Sequence, residues 1–302
     1  MAELNRLHFN EEASVYDSKH DKFNERVAKE IRARLDWIGV DWVSDDDDDD
    51  DDDDDYGDGE NDKSNRDPSR PKKEVRLLDY ACGTGGMSRA LAPYTTQCIG
   101  IDISEKMVEV YNSRAENQGL SHDEMHAIVG DLLATTGELG SSAESHSPSL
   151  RVVEGAPSPR LFGFDVAAVG GGLHHLADPE LASDRLVQRL RPGGVLLVWD
   201  FLLHGPLGDR DRDRDHGVLH HGLAEDRVRA LFEHAGAGKG FDLVVVGSGV
   251  TRGRRCKHGH HHDHGGHGDG HGDGGDDNEE NGDGEEEVLV RRQLFLARGE
   301  KY

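Results

Sequence analysis

The chain of 302 residues carries a formal net charge of −26, and 34% of its residues are hydrophobic. Two tracts hold most of that charge: residues 45–67 contain fifteen Asp and Glu against two basic residues, and residues 257–287 contain eleven against one. The remainder of the chain is therefore nearly neutral, and its length suits one α/β domain with additions. Because acidic tracts repel nucleic acid and acidic membranes, we expect no nucleic-acid partner.

Membrane and export signals are not recognisable in the sequence. The longest apolar run, 195–203, is interrupted by Asp200 and is far shorter than the roughly 18 residues of a membrane helix. The first 13 residues resemble neither a signal peptide nor a transit peptide. Three scattered cysteines are too few for a disulfide framework. We therefore expect a cytoplasmic protein without a transmembrane segment.

The first 73 residues divide into a helical part and an acidic part. Apolar residues recur at spacings of three and four along residues 24–38, which predicts an amphipathic helix within an N-terminal helical cap, residues 1–43. The segment 44–73 includes eleven consecutive aspartates, which repel one another and bury nothing. We predict that it is a disordered acidic linker.

Residues 74–302 have the pattern of an α/β domain. Short continuous apolar runs alternate with helical patterns, which predicts a parallel sheet covered on both faces. The predicted strands are 75–80, 97–102, 126–130, 164–170, 195–201, 242–247 and 288–298. The predicted helices are 86–91, 105–118, 179–190 and 224–235.

The last two predicted strands have no helical pattern between them. Residues 249–287 are rich in His, Gly and Asp, and we predict that they form a disordered insertion. Neighbouring strands without a crossover helix must run antiparallel, so these two strands should form a hairpin.

A glycine-rich turn follows the first strand of this domain in the stretch LLDYACGTGGMSRAL, residues 77–91. A dinucleotide-binding turn needs G-x-G-x-x-G, and counting from Gly83 places Ser88 where the third glycine should stand. A phosphate-binding P-loop is excluded, since no Gly-Lys-Ser/Thr follows. The turn by itself is ambiguous.

Acidic residues at three neighbouring strand ends make the ligand more specific. Asp79 precedes the turn, where a carboxylate suits an ammonium group and disfavours a pyrophosphate. Asp102 closes the second strand, where an acid accepts hydrogen bonds from ribose hydroxyls. Asp131 follows the third strand, where it could meet an adenine edge. A ligand with amine, ribose and adenine but no phosphate fits, and S-adenosylmethionine (SAM) is such a ligand. The alternative for each acid is capping of the helix that follows.

An ordered series of motifs carries a family resemblance. The series consists of LLDYACGTG, GIDISEKMV, GD at 130–131, FDVAAVGGGLHHLADP and LRPGGVLLVWDF. It resembles the class I SAM-dependent methyltransferases, in particular the small-molecule branch related to the ubiquinone and menaquinone C-methyltransferases. The resemblance implies a Rossmann-like seven-stranded sheet in the order 3-2-1-4-5-7-6, with strand 7 antiparallel and helices on both faces. It also implies SAM as cofactor and methyl transfer to a small-molecule acceptor.

The resemblance and the acid positions together predict a set of cofactor-binding residues. They are Tyr16, Asp79, Ala81, Gly83, Gly85, Asp102, Ile103, Met107, Asp131, Leu132 and Gly170. Ala81 stands where the family usually has glycine, which is tolerable if its φ is negative. Gly170 to Gly172 either leave room beside the sulfonium or form a flexible turn.

His174 and His175 are the candidates for a catalytic base, since histidine titrates near neutrality. The alternative is that the pair orients its loop by hydrogen bonds. The Leu-His-His sequence at 173–175 also departs from that of the quinone enzymes, so the acceptor stays open.

Two other functions remain as alternatives. One is a non-catalytic Rossmann-like protein whose seven histidines between 258 and 271 bind metal, although this glycine-rich strip offers no rigid frame and we expect no structural metal site. The other is an NAD-type oxidoreductase, against which Asp79 and the missing third glycine argue.

Overall fold

A computed structural model describes residues 2–44, 73–134, 159–202, 222–256 and 285–302. Its strands are β1 (Arg76–Tyr80), β2 (Gln97–Asp102), β3 (Met125–Val129), β4 (Phe164–Gly170), β5 (Leu190–Leu202), β6 (Lys239–Cys256) and β7 (Glu285–Glu300). They form one sheet in the order β3-β2-β1-β4-β5-β7-β6. Strands β1 to β5 pair in parallel, and β7 runs antiparallel to both β5 and β6. The predicted fold and strand order are confirmed.

Helices cover both faces of this sheet. They are α1 (Ala2–Arg32), α2 (Leu35–Ile38), α3 (Gly86–Leu91), α4 (Glu105–Asn117), α5 (Pro179–Arg189) and α6 (Glu225–His234). One buried apolar cluster joins Leu186 of α5 and Phe232 of α6 to Leu78 of the sheet. The other joins Ile31 of α1 and Tyr111 of α4 to the opposite face. Burial on both faces explains why the parallel strands read as continuous apolar runs.

The N-terminal helix is longer than the predicted helix over 24–38. Helix α1 contains 31 residues and ends at Arg32, and the short α2 ends at Ile38 and is capped by Gly39, whose φ is +80°. The N-terminal half of α1 is attached by polar contacts with α4, such as those of Asn10 with Ser104 and Glu105. Polar contacts of this kind leave no hydrophobic periodicity, which is why the sequence pattern predicted only the last part of α1, from residue 24 onward.

The β6–β7 hairpin is longer than predicted. Its pairing continues to Cys256 opposite Glu285, so residues 249–256 and 285–287 belong to strands and not to the predicted insertion over 249–287. The residues between them, 257–284, lie outside the described residues, as do 45–72 of the predicted acidic linker. Within the described ranges, no helix combines the length and apolar character needed to cross a membrane.

Candidate functional site

A cleft lies at the carboxyl ends of β1, β2 and β4, under the N-terminal half of α1. It encloses about 650 Å³, including space open to solvent. The lining residues are Asn5, Phe9, Tyr16, Tyr80, Ala81, Gly83, Asp102, Ile103, Met107, Gly170, Gly171, Gly172, His175 and Leu176. Seven of the predicted cofactor-binding residues thus come together: Tyr16, Ala81, Gly83, Asp102, Ile103, Met107 and Gly170.

Asp102 joins the end of β2 to the glycine turn. Its Oδ2 accepts a hydrogen bond from the backbone N–H of Gly83 at 2.8 Å, and its Oδ1 accepts one from the N–H of Ser104 at 2.8 Å. Burial raises the pKa of the Asp102 carboxyl, and the backbone hydrogen bonds oppose that rise. A carboxylate offers about four acceptor positions, so both oxygens retain capacity for hydroxyl groups of a ligand.

Gly83 leaves the bottom of the cleft open. Its φ of +52° lies in the left-handed region, and a Cβ built on it meets no atom within 4 Å. A side chain at this position would therefore occupy space that a ligand could use. Glycine at position 83 therefore allows both the turn of the backbone and the close approach of a bound molecule.

Asp79 lies beside a second cavity of about 500 Å³ that shares Tyr16, Ala81, Gly83 and Gly170 with the cleft. The Asp79 carboxylate is 1% exposed and accepts hydrogen bonds from the backbone N–H and the hydroxyl of Ser88, at 3.1 and 2.8 Å. Burial raises the pKa of Asp79 to about 7, against the opposing effect of the Ser88 bonds. Asp79 thus combines the capping role with a place on the wall of a cavity.

Asp131 does not line the cleft. Its Oδ1 accepts hydrogen bonds from the hydroxyl of Tyr80 at 2.9 Å and from the backbone N–H of Leu133 at 2.8 Å. Tyr80 does line the cleft, so Asp131 is connected to the cleft only indirectly, by its hydrogen bond with the Tyr80 hydroxyl. Leu132, also predicted to bind the cofactor, is 3% exposed within the apolar cluster of Leu78.

Gly85 has a packing role in the turn. It adopts φ +89° at the start of α3, and a Cβ there would lie 2.8 Å from the ring of Tyr111. It lines neither cavity described above. The predicted contact of Gly85 with the cofactor therefore has no support in the position of this residue.

The condition under which alanine at position 81 would be tolerated, a negative φ, is not met. Ala81 has φ +53°, in the left-handed region that disfavours a Cβ by roughly 1–2 kcal/mol. Its methyl group faces Gly172, where an added Cβ would lie 2.8 Å away. The usual glycine of the family would relieve this strain, and the turn is held in place here despite it.

The glycines that follow β4 are required by packing. A Cβ on Gly170 would lie 2.5 Å from Nε1 of Trp199, and one on Gly171 would lie 2.3 Å from the same indole. Gly171 also adopts φ +66°. These close approaches argue against a merely flexible turn and bring the backbone of the loop to the cleft.

The two candidate histidines are in different environments. His174 is 6% exposed and lies outside the cleft lining, and its Nδ1 is 2.8 Å from Oδ1 of fully buried Asp200. The backbone N–H of His174 also donates to Asp200. His175 lines the cleft, with its ring edge-on to Phe9 at 5.3 Å between centroids. The geometry therefore assigns loop orientation to His174 and leaves His175 as the candidate base.

Helix α1 is fastened over the cleft by polar bonds. The hydroxyl of Thr84, in the glycine turn, donates to Asp17 at 2.8 Å, and Asp17 also pairs with Arg114 of α4. The amide of Asn10 bonds the start of α4 at Ser104. Tyr16, between these attachments, lines both cavities, and its burial raises the pKa of its hydroxyl to about 12.

Sequence reasoning missed several residues of the cavity walls, among them Asn5, Phe9, Tyr80 and Trp199. Asn5 and Phe9 stand upstream of Tyr16, in a segment without strong periodicity. Tyr80 and Trp199 lie on predicted strands, where an aromatic residue is expected as core. In the part of the chain that the structure describes, no cluster of three potential ligands could hold a metal ion. The histidine tract over 258–271 is outside that part.

Part of this chain is similar in sequence to known proteins. Residues 78–196, from β1 into β5, match the family described as "Methyltransferase domain". The matched region carries the glycine turn, Asp102 and the loop after β4. Residues 78–196 are thus similar to a methyltransferase domain, as the motif series predicted, and they lie in a Rossmann-like sheet.

Two relatives and one solved structure show the extent of the similarity. An uncharacterized methyltransferase of Schizosaccharomyces pombe is 29% identical over 58% of this chain and 58% of its own length. The ubiquinone biosynthesis O-methyltransferase of Rhizobium etli is 29% identical over 44% of each chain. The [4+2]-cyclase SpnF is 24% identical, with a TM-score of 0.42 over 57% of this chain and 54% of its own. The chain spans about half the length of the curated relatives it matches.

Proposed function

We propose that the protein transfers a methyl group from SAM to a small-molecule acceptor. The observation that carries this proposal is the pair of adjacent cavities that share Ala81 and Gly83, one bordered by Asp102 and the other by Asp79. A nucleoside with an amino-acid tail needs two kinds of protein group. At one end, an acceptor must take hydrogen bonds from the ribose hydroxyls, and at the other end an anion must pair with the ammonium group. The open space above Gly83 allows the ligand to pass between them.

Each chain residue then has a defined task. Asp102 accepts the ribose hydroxyls, Met107 and Ile103 form the apolar wall for the base, and Asp79 faces the ammonium group. When bound across the two cavities by Asp102, Ile103, Met107 and Asp79, SAM would supply an activated methyl group to the acceptor. His175 takes the proton from an oxygen or nitrogen acceptor. Positioning of the reactants under α1 supplies most of the rate enhancement.

Several features support a small molecule as the acceptor and not a nucleic acid. Helix α1 covers the cleft, and among the described residues that line it there is no Lys or Arg to hold a phosphate backbone. We also place the protein in the cytoplasm, since Cys82 and Cys98 are free buried thiols, which suits a reducing compartment. Fractionation of cells that express a tagged full chain tests this location.

Calorimetry with SAM, NAD and zinc tests the proposed function. We expect saturable binding of SAM alone, and at least tenfold weaker binding by Asp102→Asn, which keeps an amide oxygen but loses the charge that strengthens hydrogen bonds to hydroxyls. Asp123→Asn is the matched control, because Asp123 is exposed at the far end of β3 and lies outside both cavities. Equal SAM affinity of the wild type and Asp102→Asn, with equal melting temperatures, would contradict the ribose assignment.

A further inference from the structure

The cleft contains a buried hydrogen-bond acceptor that the proposed cofactor contacts do not use. Asn5, in the first turns of α1, is 6% exposed, and its Nδ2 donates to the carbonyl oxygen of His175 at 3.0 Å. Its Oδ1 is buried and has no hydrogen-bond partner among the described residues. An amide oxygen without a partner inside a protein is costly, so such an atom in a cleft wall suggests a partner from a ligand.

The residues around Asn5 form one part of the cleft wall, a subsite for the acceptor. Phe9, Leu176 and the backbone at Gly171 and Gly172 line the cleft together with Asn5 and His175. Two of these side chains are apolar, and the rings of Phe9 and His175 meet edge to face. The proposed cofactor residues Asp102, Ile103 and Met107 come from the end of β2 and the start of α4, whereas this group comes from α1 and the loop after β4.

The charge of the described wall of this subsite disfavours one class of molecule. No Lys or Arg is present among the described residues of the cleft wall, and the carboxylate there belongs to Asp102. A carboxylate or phosphate on the acceptor would therefore have no ion-pair partner in the described wall and would be repelled by Asp102. An uncharged acceptor has no such penalty.

We propose that Asn5 Oδ1 selects the methyl acceptor, as an uncharged molecule that presents an O–H or N–H donor on an aromatic or otherwise apolar body. This inference rests on the proposed function, since it needs the nucleoside end of the cleft to be filled by the cofactor. The donor of the acceptor bonds Oδ1, and its body packs against Phe9 and Leu176. The bond from Asn5 Nδ2 to the His175 carbonyl engages the NH₂ group of the amide and leaves Oδ1 as its unpaired end.

Three probes of similar shape test the selection: 2-naphthol, 2-methoxynaphthalene and 2-naphthoate. Each is titrated into the full-length protein saturated with S-adenosylhomocysteine. We expect 2-naphthol to bind at least tenfold more tightly than the methoxy compound, because a site built around a hydrogen bond rejects an analogue that cannot make it. We expect 2-naphthoate to bind most weakly. Equal affinity of the first two probes, tightest binding of 2-naphthoate, or no saturable binding of 2-naphthol overturns the proposal.

Variants of Asn5 test whether the preference for 2-naphthol depends on the side-chain oxygen Oδ1. Asn5→Leu has nearly the same shape without the acceptor, and we expect the preference for 2-naphthol to fall below twofold. Asn5→Asp keeps an acceptor oxygen and loses the bond to the His175 carbonyl, so it should retain the preference. Leu4→Ala, at an exposed neighbouring position, is the control. A preference that persists in Asn5→Leu, or that is lost equally in both Asn5 variants, overturns the proposal.

SAM affinity separates this inference from the function on which it rests. Wild type, Asn5→Leu and Leu4→Ala should bind SAM within twofold of one another. If the wild type binds no SAM, the proposed function fails. If SAM binds normally but the three probes are not distinguished, only the role of Asn5 fails.

Discussion

The hydroxyl group of Tyr80 donates a hydrogen bond to Oδ1 of Asp131 at 2.9 Å, and only the tyrosine of this pair lines the cleft. Burial and the neighbouring carboxylate raise the pKa of the Tyr80 hydroxyl well above its usual value. Tyr80 therefore remains a proton donor at every physiological pH. The bond fixes the ring against the cleft wall and gives Asp131 an indirect influence on whatever binds there.

This relationship predicts non-additive effects on SAM affinity. Asp131→Ala and Tyr80→Phe should each weaken SAM binding about two- to tenfold, since each removes the same hydrogen bond. The double variant should be no weaker than the worse single one, as calorimetry over a double-mutant cycle would measure. Additive losses would mean instead that Asp131 contacts the cofactor itself, as the sequence position suggested.

Asp79 should make stability depend on pH. Its pKa of about 7 in the folded protein lies above the usual value near 4, because burial disfavours the charged carboxylate. Between these two pH values the folded protein holds a proton that the unfolded chain has released. Stability from this group is therefore present below about pH 4 and is lost as the pH rises to about 7.

Replacement by asparagine isolates that contribution. Asp79→Asn keeps an oxygen that can accept the Ser88 bonds and does not ionise. Relative to wild type, it should gain at least about 1 kcal/mol of unfolding free energy between pH 5 and pH 8, since a pKa change of one corresponds to about 1.4 kcal/mol. Denaturant titrations at both pH values measure this. Asp102 is present in both proteins, and its charge is one of the causes that raise the pKa of Asp79. A constant difference across this range would contradict the raised pKa of Asp79.

The two left-handed glycines of the turn should respond differently to an added methyl group. At Gly83 the Cβ enters open cleft, so Gly83→Ala should weaken SAM binding at least tenfold while costing about 1 kcal/mol of stability for its φ of +52°. At Gly85 the Cβ meets the ring of Tyr111, so Gly85→Ala should cost more stability, about 2–3 kcal/mol, from strain and overpacking. Thermal unfolding and calorimetry on both variants separate the effects. If both variants lost the same SAM affinity and had the same stability, the proposed difference between Gly83 and Gly85 would be contradicted.

The sheet was predictable because its pattern is governed by burial on both faces. The apolar runs of β1, β2 and β4 mark the strands, and the ends of those strands mark the place of Asp79, Asp102 and Gly170. Parallel topology then brings these ends to one edge, whatever the details of packing. The general location of the cleft follows from the sequence alone.

The directions of individual side chains could not be predicted as well from the sequence. Asp131 occupies the expected strand end, but Tyr80 competes for its carboxylate and turns it from the cleft. The positive φ of Ala81 depends on the turn closing against Gly172, a contact between segments far apart in the chain. Asn5 lies on a helix whose polar contacts have no periodic signature. In each case the missing information is a long-range contact, which local patterns do not contain.

Replacing each of the two adjacent histidines should have a different effect, on stability for His174 and on catalysis for His175. His174→Ala leaves the fully buried carboxylate of Asp200 without its ring partner, and we expect a loss of at least about 2 kcal/mol of unfolding free energy. His175→Ala removes a partly exposed ring from the cleft, so its melting temperature should stay close to that of wild type. For a hydroxyl acceptor, His175→Ala should lower kcat at neutral pH about 10²-fold or more.

His175→Gln supplies the matched control for that last effect, because glutamine can fill the space beside Phe9 without accepting a proton at neutral pH. It should resemble His175→Ala in kcat and wild type in SAM affinity. Recovery of wild-type kcat by glutamine would show that His175 packs the subsite and that the proton leaves by another route. A stability loss in His175→Ala as large as that in His174→Ala would likewise contradict the assignment, since both rings would then serve to hold the loop after β4.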